Sequence, residues 1–170
     1  GMPMIEHVWH RANMYSDWYA LFFATCDKEI KEFADSKGIP CVMTSDKHAR
    51  ALDRVAEAVE NSGYIINPHD IVINVQGDEP MMRPDMINTT VQPMLDNSEI
   101  GGVVLSIPIR DEEQFKDPNA LKIINKMNGD ILYTSRAPIP YCEEWSENVG
   151  AKRIYGIFGF HWDFLQNFTK

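Results

Sequence analysis

Along the chain, the spacing of apolar residues switches repeatedly between a helical and an extended period. Ile5, Val8, Trp9 and Ala12 recur on one helical face and predict a helix over 3–14. The almost unbroken apolar run 20–25 (ALFFAT) predicts a short strand of the kind a parallel sheet covers on both faces. Asp27 as N-cap and Gly38 as stop bracket a helix over 27–36. The cycle repeats with a strand over 40–44, a helix over 51–61 ended by Gly63, and a strand over 70–76 that reads DIVINVQ. After the segment QGDEP, a helix over 84 to about 95, weakened by Pro93, leads to another apolar strand over 101–107. Three β–α cycles in succession predict an α/β domain on a doubly wound, mostly parallel sheet.

Beyond Asp111 the rhythm changes. The segments 121–125 and 131–134 flank Met127-Asn128-Gly129-Asp130, and Asn-Gly favours the turn that joins antiparallel strands, so an inserted β-hairpin lobe is expected. Proline and acidic residues over 138–147 predict a surface loop, a strand returns over 153–160, and a helix begins over 162–168. There is no internal repeat and no low-complexity tract.

Composition narrows the functional classes. The 170 residues suit one domain, and 44% hydrophobic with 24% charged residues is a globular mix, neither disordered nor membrane-spanning. A net charge of −9 disfavours a nucleic-acid binder, so an anionic substrate must meet a local cluster of bases. Cys26, Cys41 and Cys142 form no CxxC pair, which fits a reducing compartment. Glu6, Arg11 and Asp17 interrupt the first twenty residues, against a secretory signal or membrane helix, and a cytoplasmic location is expected.

Three segments could carry chemistry. In Gln76-Gly77-Asp78-Glu79-Pro80, a carboxylate follows a strand at the carboxyl edge of the expected sheet, where such folds bind ligands. Asp78 could there hold Mg²⁺ on nucleotide phosphates, or Asp78 and Glu79 could simply be solvated in a turn. Lys47, His48, Arg50 and Arg54 place four basic or potentially basic side chains within eight residues between a strand and a helix. That cluster reads either as an anion site at helix amides or as an exposed first turn with Asp53 and Arg54 paired at the surface. In Ser135-Arg136-Ala137-Pro138-Ile139-Pro140, two prolines stiffen the backbone after an arginine whose planar fork suits a substrate carboxylate; the alternative is a structural ion pair. His161, Trp162, Met81 and Met82 read as core or helix-start residues. There is no GxxxxGK[ST] loop, GxGxxG turn, GxSxG elbow or HExxH helix, which removes the common kinase, dehydrogenase and hydrolase readings.

In this order, the segments resemble the CMP-Kdo synthetases, the 3-deoxy-manno-octulosonate cytidylyltransferases, across essentially the whole chain. GMPMI is similar to that family's GKPMI, Ala24-Thr25-Cys26-Asp27 to its ATDD, and TSDKHARALDR to its TSxxHxSGTDR. INVQGDEPMMRPDMI, DPNALKII and LYTSRAPIPY continue the match, and YGIFGF stands where the family has GIYxY. The resemblance implies a nucleotide-diphospho-sugar transferase-like fold, a homodimer, and transfer of CMP from CTP to an acidic eight-carbon 2-keto-3-deoxy sugar with release of pyrophosphate. It further implies that Asp78 ligates Mg²⁺, that Gln76 and Arg136 contact the sugar acid, and that Asp53 and Arg54 help form the cytidine pocket, with His48 and Ser135 as further contacts.

The departures shape the remaining expectations. The family's opening strand and basic loop IPARxxSxRLPGK have no counterpart here, Met2 replaces the lysine of GKPMI, Arg50-Ala51-Leu52 replace SGT, and Ile154 replaces a histidine. A second metal-binding aspartate of the family also lies beyond the matched segments. Residues 1–170 are therefore expected to be one cytidylyltransferase-like domain incomplete at both ends, inactive in isolation and prone to associate through unpaired strand edges. Cytidylyl transfer to another acidic acceptor, a nonulosonic acid or phosphonate, and a non-catalytic nucleotide- or sugar-binding remnant are the competing readings.

Overall fold

A computed structural model describes all 170 residues. The chain packs as two compact units, 1–103 with 157–170 and, separately, 104–156.

In the first unit, helix α1 (Met4–Ala12) precedes strand β1 (Phe23–Thr25), and helix α2 (Lys28–Lys37) leads to strand β2 (Cys41–Met43). β1 and β2 pair in parallel, Phe23 opposite Cys41. The local signals act as expected: the Asp27 carboxylate accepts the Glu29 N–H at 2.8 Å, and Gly38 closes α2 with φ of 66°, a conformation a side chain would strain. Phe23, Ala34 and Ile39 form one core cluster, with Trp9 edge-on to Phe23 at 5.5 Å between ring centroids. Helix α3 (Ala51–Asn61) packs against the C-terminal helix α6 (Trp162–Thr169) through Ala56, Val59, Trp162 and Leu165.

Strand β3 (Ile71–Val75) leads through QGDEP to helix α4 (Pro84–Asp96), with Pro84 in its first turn where no amide is needed. Pro93 lies inside α4, which runs on to Asp96, so the Thr89 carbonyl lacks its intrahelical N–H donor there. The structure keeps the α/β class and adds a detail of pairing. β3 runs antiparallel to the second half of strand β7 (Lys152–His161), Ile71 opposite His161 and Val75 opposite Ile157, so parallel pairing in this unit is confined to β1 and β2. The succession of β–α cycles that predicted a mostly parallel sheet bears on the strands within those cycles and not on the direction of β7, which follows the hairpin segment in the chain.

β1 and β3 each pair along one edge only. A mostly apolar cleft of about 1280 Å³ opens beside them, lined by Val8 and Trp9 of α1, Phe22 and Phe23, Val59 of α3, and Val72. The run 20–25 is regular only from Phe23 onward, since residues 20–22 face this cleft and have no ladder partner.

In the second unit, helix α5 (Glu112–Lys116), capped by the Asp111 carboxylate at 2.7 Å from the Gln114 N–H, is an element the apolar pattern is too short to announce. Strands β5 (Lys122–Asn125) and β6 (Ile131–Ser135) form the expected hairpin, with Gly129 at φ of 98° in its turn. β5 also pairs antiparallel with the start of β7, Lys122 opposite Arg153. Ile109, Phe115 and Ala151 form the core of this unit, with Trp145 tilted against Phe115 at 4.7 Å. Strand β4 (Gly102–Pro108) and β7 each run from one unit into the other along the chain. No helix is long and apolar enough to cross a membrane.

Candidate functional site

QGDEP leaves the carboxyl end of β3 as a tight turn. The Glu79 N–H donates to the Gln76 carbonyl at 3.2 Å, and the Met82 N–H to the Glu79 carbonyl at 3.1 Å. Met82 is 0% exposed and anchors the far end of the turn, where Arg11 Nη1 also donates to its carbonyl at 3.3 Å. Met81, by contrast, is 69% exposed, so only one of the methionine pair serves the core. The anchored turn throws Asp78 outward: its side chain is exposed and has no hydrogen-bond or ion-pair partner, while Gln76 is half-buried. Gln76, Asp78 and Arg54 all line the cleft.

One free carboxylate on a rigid turn suits Mg²⁺, an ion that keeps waters and phosphate oxygens around it and takes one or two carboxylates from the protein. No group of three or more His, Cys, Asp or Glu side chains could cage a metal by itself. The residues present therefore fit a Mg²⁺ ion delivered on nucleotide phosphates, not a resident structural one.

Of the basic cluster before α3, His48, Arg50 and Arg54 are engaged within the chain, while the Lys47 ammonium is exposed. Arg50 forks onto Asp53, with Nη2 2.7 Å and Nε 3.0 Å from the two carboxylate oxygens. That hydrogen bond holds the Asp53 carboxyl below its ordinary range, against a smaller opposing effect of burial. His48 Nε2 pairs with the Glu57 carboxylate, which also accepts the Ser45 N–H at 2.9 Å. The His48 contact, with the Ser45 N–H after it, likewise lowers the Glu57 carboxyl. Arg54 Nη1 donates to Thr44 Oγ1 at 2.6 Å and to the Ser45 carbonyl at 3.3 Å. Of the candidates in this cluster, Arg54 lines the cleft, whereas His48 and Asp53 order the loop and the first turn of α3. Sequence reasoning missed Glu57, although it stands one helical turn after Asp53 and so on the same face.

In the second unit, β6 delivers Ser135 and Arg136 to its end. Ser135 Oγ accepts the Ala137 N–H at 3.0 Å, turning the chain out of the strand. Arg136 is exposed; its Nη1 donates to the Pro118 carbonyl at 2.8 Å, leaving Nε and Nη2 unengaged. Below it lies a residue that sequence reasoning also missed. Lys122 is 0% exposed, and its Nζ donates to the carbonyls of Asp117 at 2.6 Å, Ala120 at 2.8 Å and Arg136 at 2.9 Å. Burial pushes this ammonium below its ordinary pKa, with Asp117 opposing and Arg136 adding to the shift.

Residues 1–170 match the cytidylyltransferase family from end to end. The chain belongs to that family. The 3-deoxy-manno-octulosonate cytidylyltransferase of Thermodesulfovibrio yellowstonii is 38% identical over 98% of this chain and 68% of its own length. The 8-amino-3,8-dideoxy-manno-octulosonate cytidylyltransferase of Shewanella pealeana is 36% identical over 100% of the chain and 69% of its own length. Among solved structures, a CMP:2-keto-3-deoxy-manno-octonic acid synthetase complexed with CTP superposes with a TM-score of 0.85 at 32% identity, over 99% of this chain and 67% of that one. The chain thus spans about two thirds of the cytidylyltransferases it matches.

Proposed function

We propose that this cytidylyltransferase domain serves the transfer of CMP from CTP to a 3-deoxy-octulosonate acid. The anomeric hydroxyl of the sugar attacks the α-phosphorus, the α–β anhydride bond breaks, pyrophosphate leaves, and the hydroxyl proton passes to solvent. The observation that carries this reading is the QGDEP turn, with an unpartnered Asp78 at the carboxyl end of a strand beside a cleft. Its support comes from octulosonate cytidylyltransferases at 36–38% identity and a CTP-bound synthetase of the same fold.

In this reading Asp78 would hold a Mg²⁺ ion, which would supply charge neutralisation on the triphosphate. Arg54, with Asp53 and His48 ordering the loop beside it, serves the cytidine. Arg136 presents its free Nε and Nη2 to the sugar carboxylate, Ser135 shapes the turn that aims it, and Gln76 contributes a hydrogen bond to the sugar. Most of the catalysis is then positioning and charge neutralisation. A homodimer working in the cytoplasm belongs to the same reading.

The residues present account for binding, so binding is the test. In the presence of CTP, 3-deoxy-manno-octulosonate should bind saturably by calorimetry, and its analogue reduced at the carboxylate should bind at least tenfold more weakly. Arg136→Gln should lose the same discrimination. Equal affinity for acid and reduced analogue would contradict the assignment. A second acceptor, the 8-amino-3,8-dideoxy acid, is favoured by the Shewanella pealeana relative. It belongs in the same titration, and tighter binding of it would make it the substrate.

A further inference from the structure

Lys122 is a charged side chain with no exposure in the middle of a small unit, and no carboxylate touches its ammonium. Burying such a charge is costly, and an apolar residue of similar volume would often be more stable. All three of its donors are consumed by backbone carbonyls. Those carbonyls come from two separate stretches of chain. Asp117 and Ala120 belong to the turn before β5, which the Ala120 N–H closes on the Asp117 carbonyl at 3.2 Å. Arg136 is the first residue after β6. The same two stretches meet again at the surface, where Arg136 Nη1 reaches the Pro118 carbonyl. β5 itself is held on both sides, with Lys122 opposite Ser135 on β6 and Arg153 on β7, so the ammonium projects from a fixed backbone.

We propose that Lys122 is the positioning residue for Arg136: its ammonium staples the main chain of Arg136 to the 117–120 turn and thereby fixes the direction of the guanidinium. The proposal rests on the reading of Arg136 as the contact for the substrate carboxylate. Without the staple, all three carbonyls lose the ammonium and the Asp117 carbonyl keeps only the Ala120 N–H, the two stretches part, and the guanidinium keeps only its single bond to Pro118. The ammonium acts from beneath and does not touch substrate.

Lys122→Met keeps the bulk of the side chain and removes all three donors. Amide hydrogen exchange at 119–121 and 136–137 should then accelerate at least tenfold beyond any change elsewhere in the unit. The dissociation constant for 3-deoxy-manno-octulosonate should rise at least tenfold while that for CTP stays within twofold. Ile123→Ala, a buried neighbour on the same strand, provides the comparison: it should destabilise without changing that ratio. Unchanged exchange in the two stretches, or an equal loss of affinity in Ile123→Ala, would overturn the proposal. Arg136→Gln separates it from the reading beneath it: if Arg136→Gln leaves sugar-acid affinity intact, the carboxylate assignment fails, whereas exchange in Lys122→Met still decides the staple. If Lys122→Met does not fold, the wild-type protein suffices. Its caged ammonium should give a slowly exchanging ¹⁵N–H signal at pH 7, where exposed lysines give none, and absence of that signal refutes the cage.

Discussion

The two places where this cytidylyltransferase domain is expected to meet its substrates are held in opposite ways. In the first unit, a rigid turn presents Asp78 without any partner, beside a cleft whose flanking strands β1 and β3 each have an unpaired edge. In the second unit, whose core is Ile109, Phe115 and Ala151, Arg136 stands on a loop whose main chain is stapled from below by a fully buried lysine. A carboxylate meant for a hydrated ion must stay free and needs only a fixed backbone. A guanidinium meant for one planar carboxylate must be aimed, and aiming a long flexible side chain takes support beneath it. The contrast extends to packing: both units have buried clusters, but the first also leaves an apolar wall open to solvent beside β1 and β3.

The largest expected effect of that contrast is on folding. Phe115→Ala, buried at 3% exposure in the core of the second unit, should cost about 3–5 kcal/mol in denaturant titrations. Phe22→Ala, on the wall of the cleft, should cost less than half as much, because the ring already has solvent on one side. Equal costs would mean that the cleft is filled in solution. The same open wall predicts that the chain binds apolar dyes and self-associates as concentration rises, measurable by light scattering, and that Phe22→Ser weakens both effects. A monomer at all concentrations with no dye binding would contradict the open cleft.

A smaller effect is expected at Arg136. Arg136→Lys keeps the charge and loses the planar fork, and should weaken sugar-acid binding by about tenfold, the equivalent of about 1.4 kcal/mol, as read by calorimetry. The smallest concerns pH. His48 and the Ser45 N–H hold the Glu57 carboxyl below its ordinary value of 4.5. A depressed carboxylate stabilises the fold above its unfolded pKa, and the contribution disappears as pH falls through the lower folded value. Glu57→Gln should therefore lose stability near neutral pH yet unfold with a shallower dependence below about pH 4.5. An acid-unfolding curve parallel to that of wild type would argue against the His48–Glu57 pair.

Much of this was legible in the chain because short-range chemistry carried it. Asp27 and Gly38 bracket α2, Asn128-Gly129 folds the hairpin, and the span of α3 coincides with its apolar period. Strand direction was not legible, since DIVINV reads the same whether β7 runs with it or against it. The chemistry of single residues was legible only where it depends on neighbours in sequence. Asp78 is exposed because QGDEP is a turn, which local sequence states. Lys122 looks like any surface lysine in LKII, because its three acceptors come from segments up to fourteen residues away that only the fold brings together. His48 looks like an anion ligand until Glu57, nine residues on, takes it.

In the proposed reading, nucleotide binding in the first unit depends above all on the free carboxylate of Asp78. Calorimetric titration of CTP into wild type and Asp78→Ala, each with and without Mg²⁺, tests it most directly. The expected result is that Mg²⁺ tightens CTP binding at least tenfold in wild type and leaves Asp78→Ala unchanged, while the metal-free affinities of the two proteins agree. CTP binding that responds equally to Mg²⁺ in both proteins would contradict the assignment.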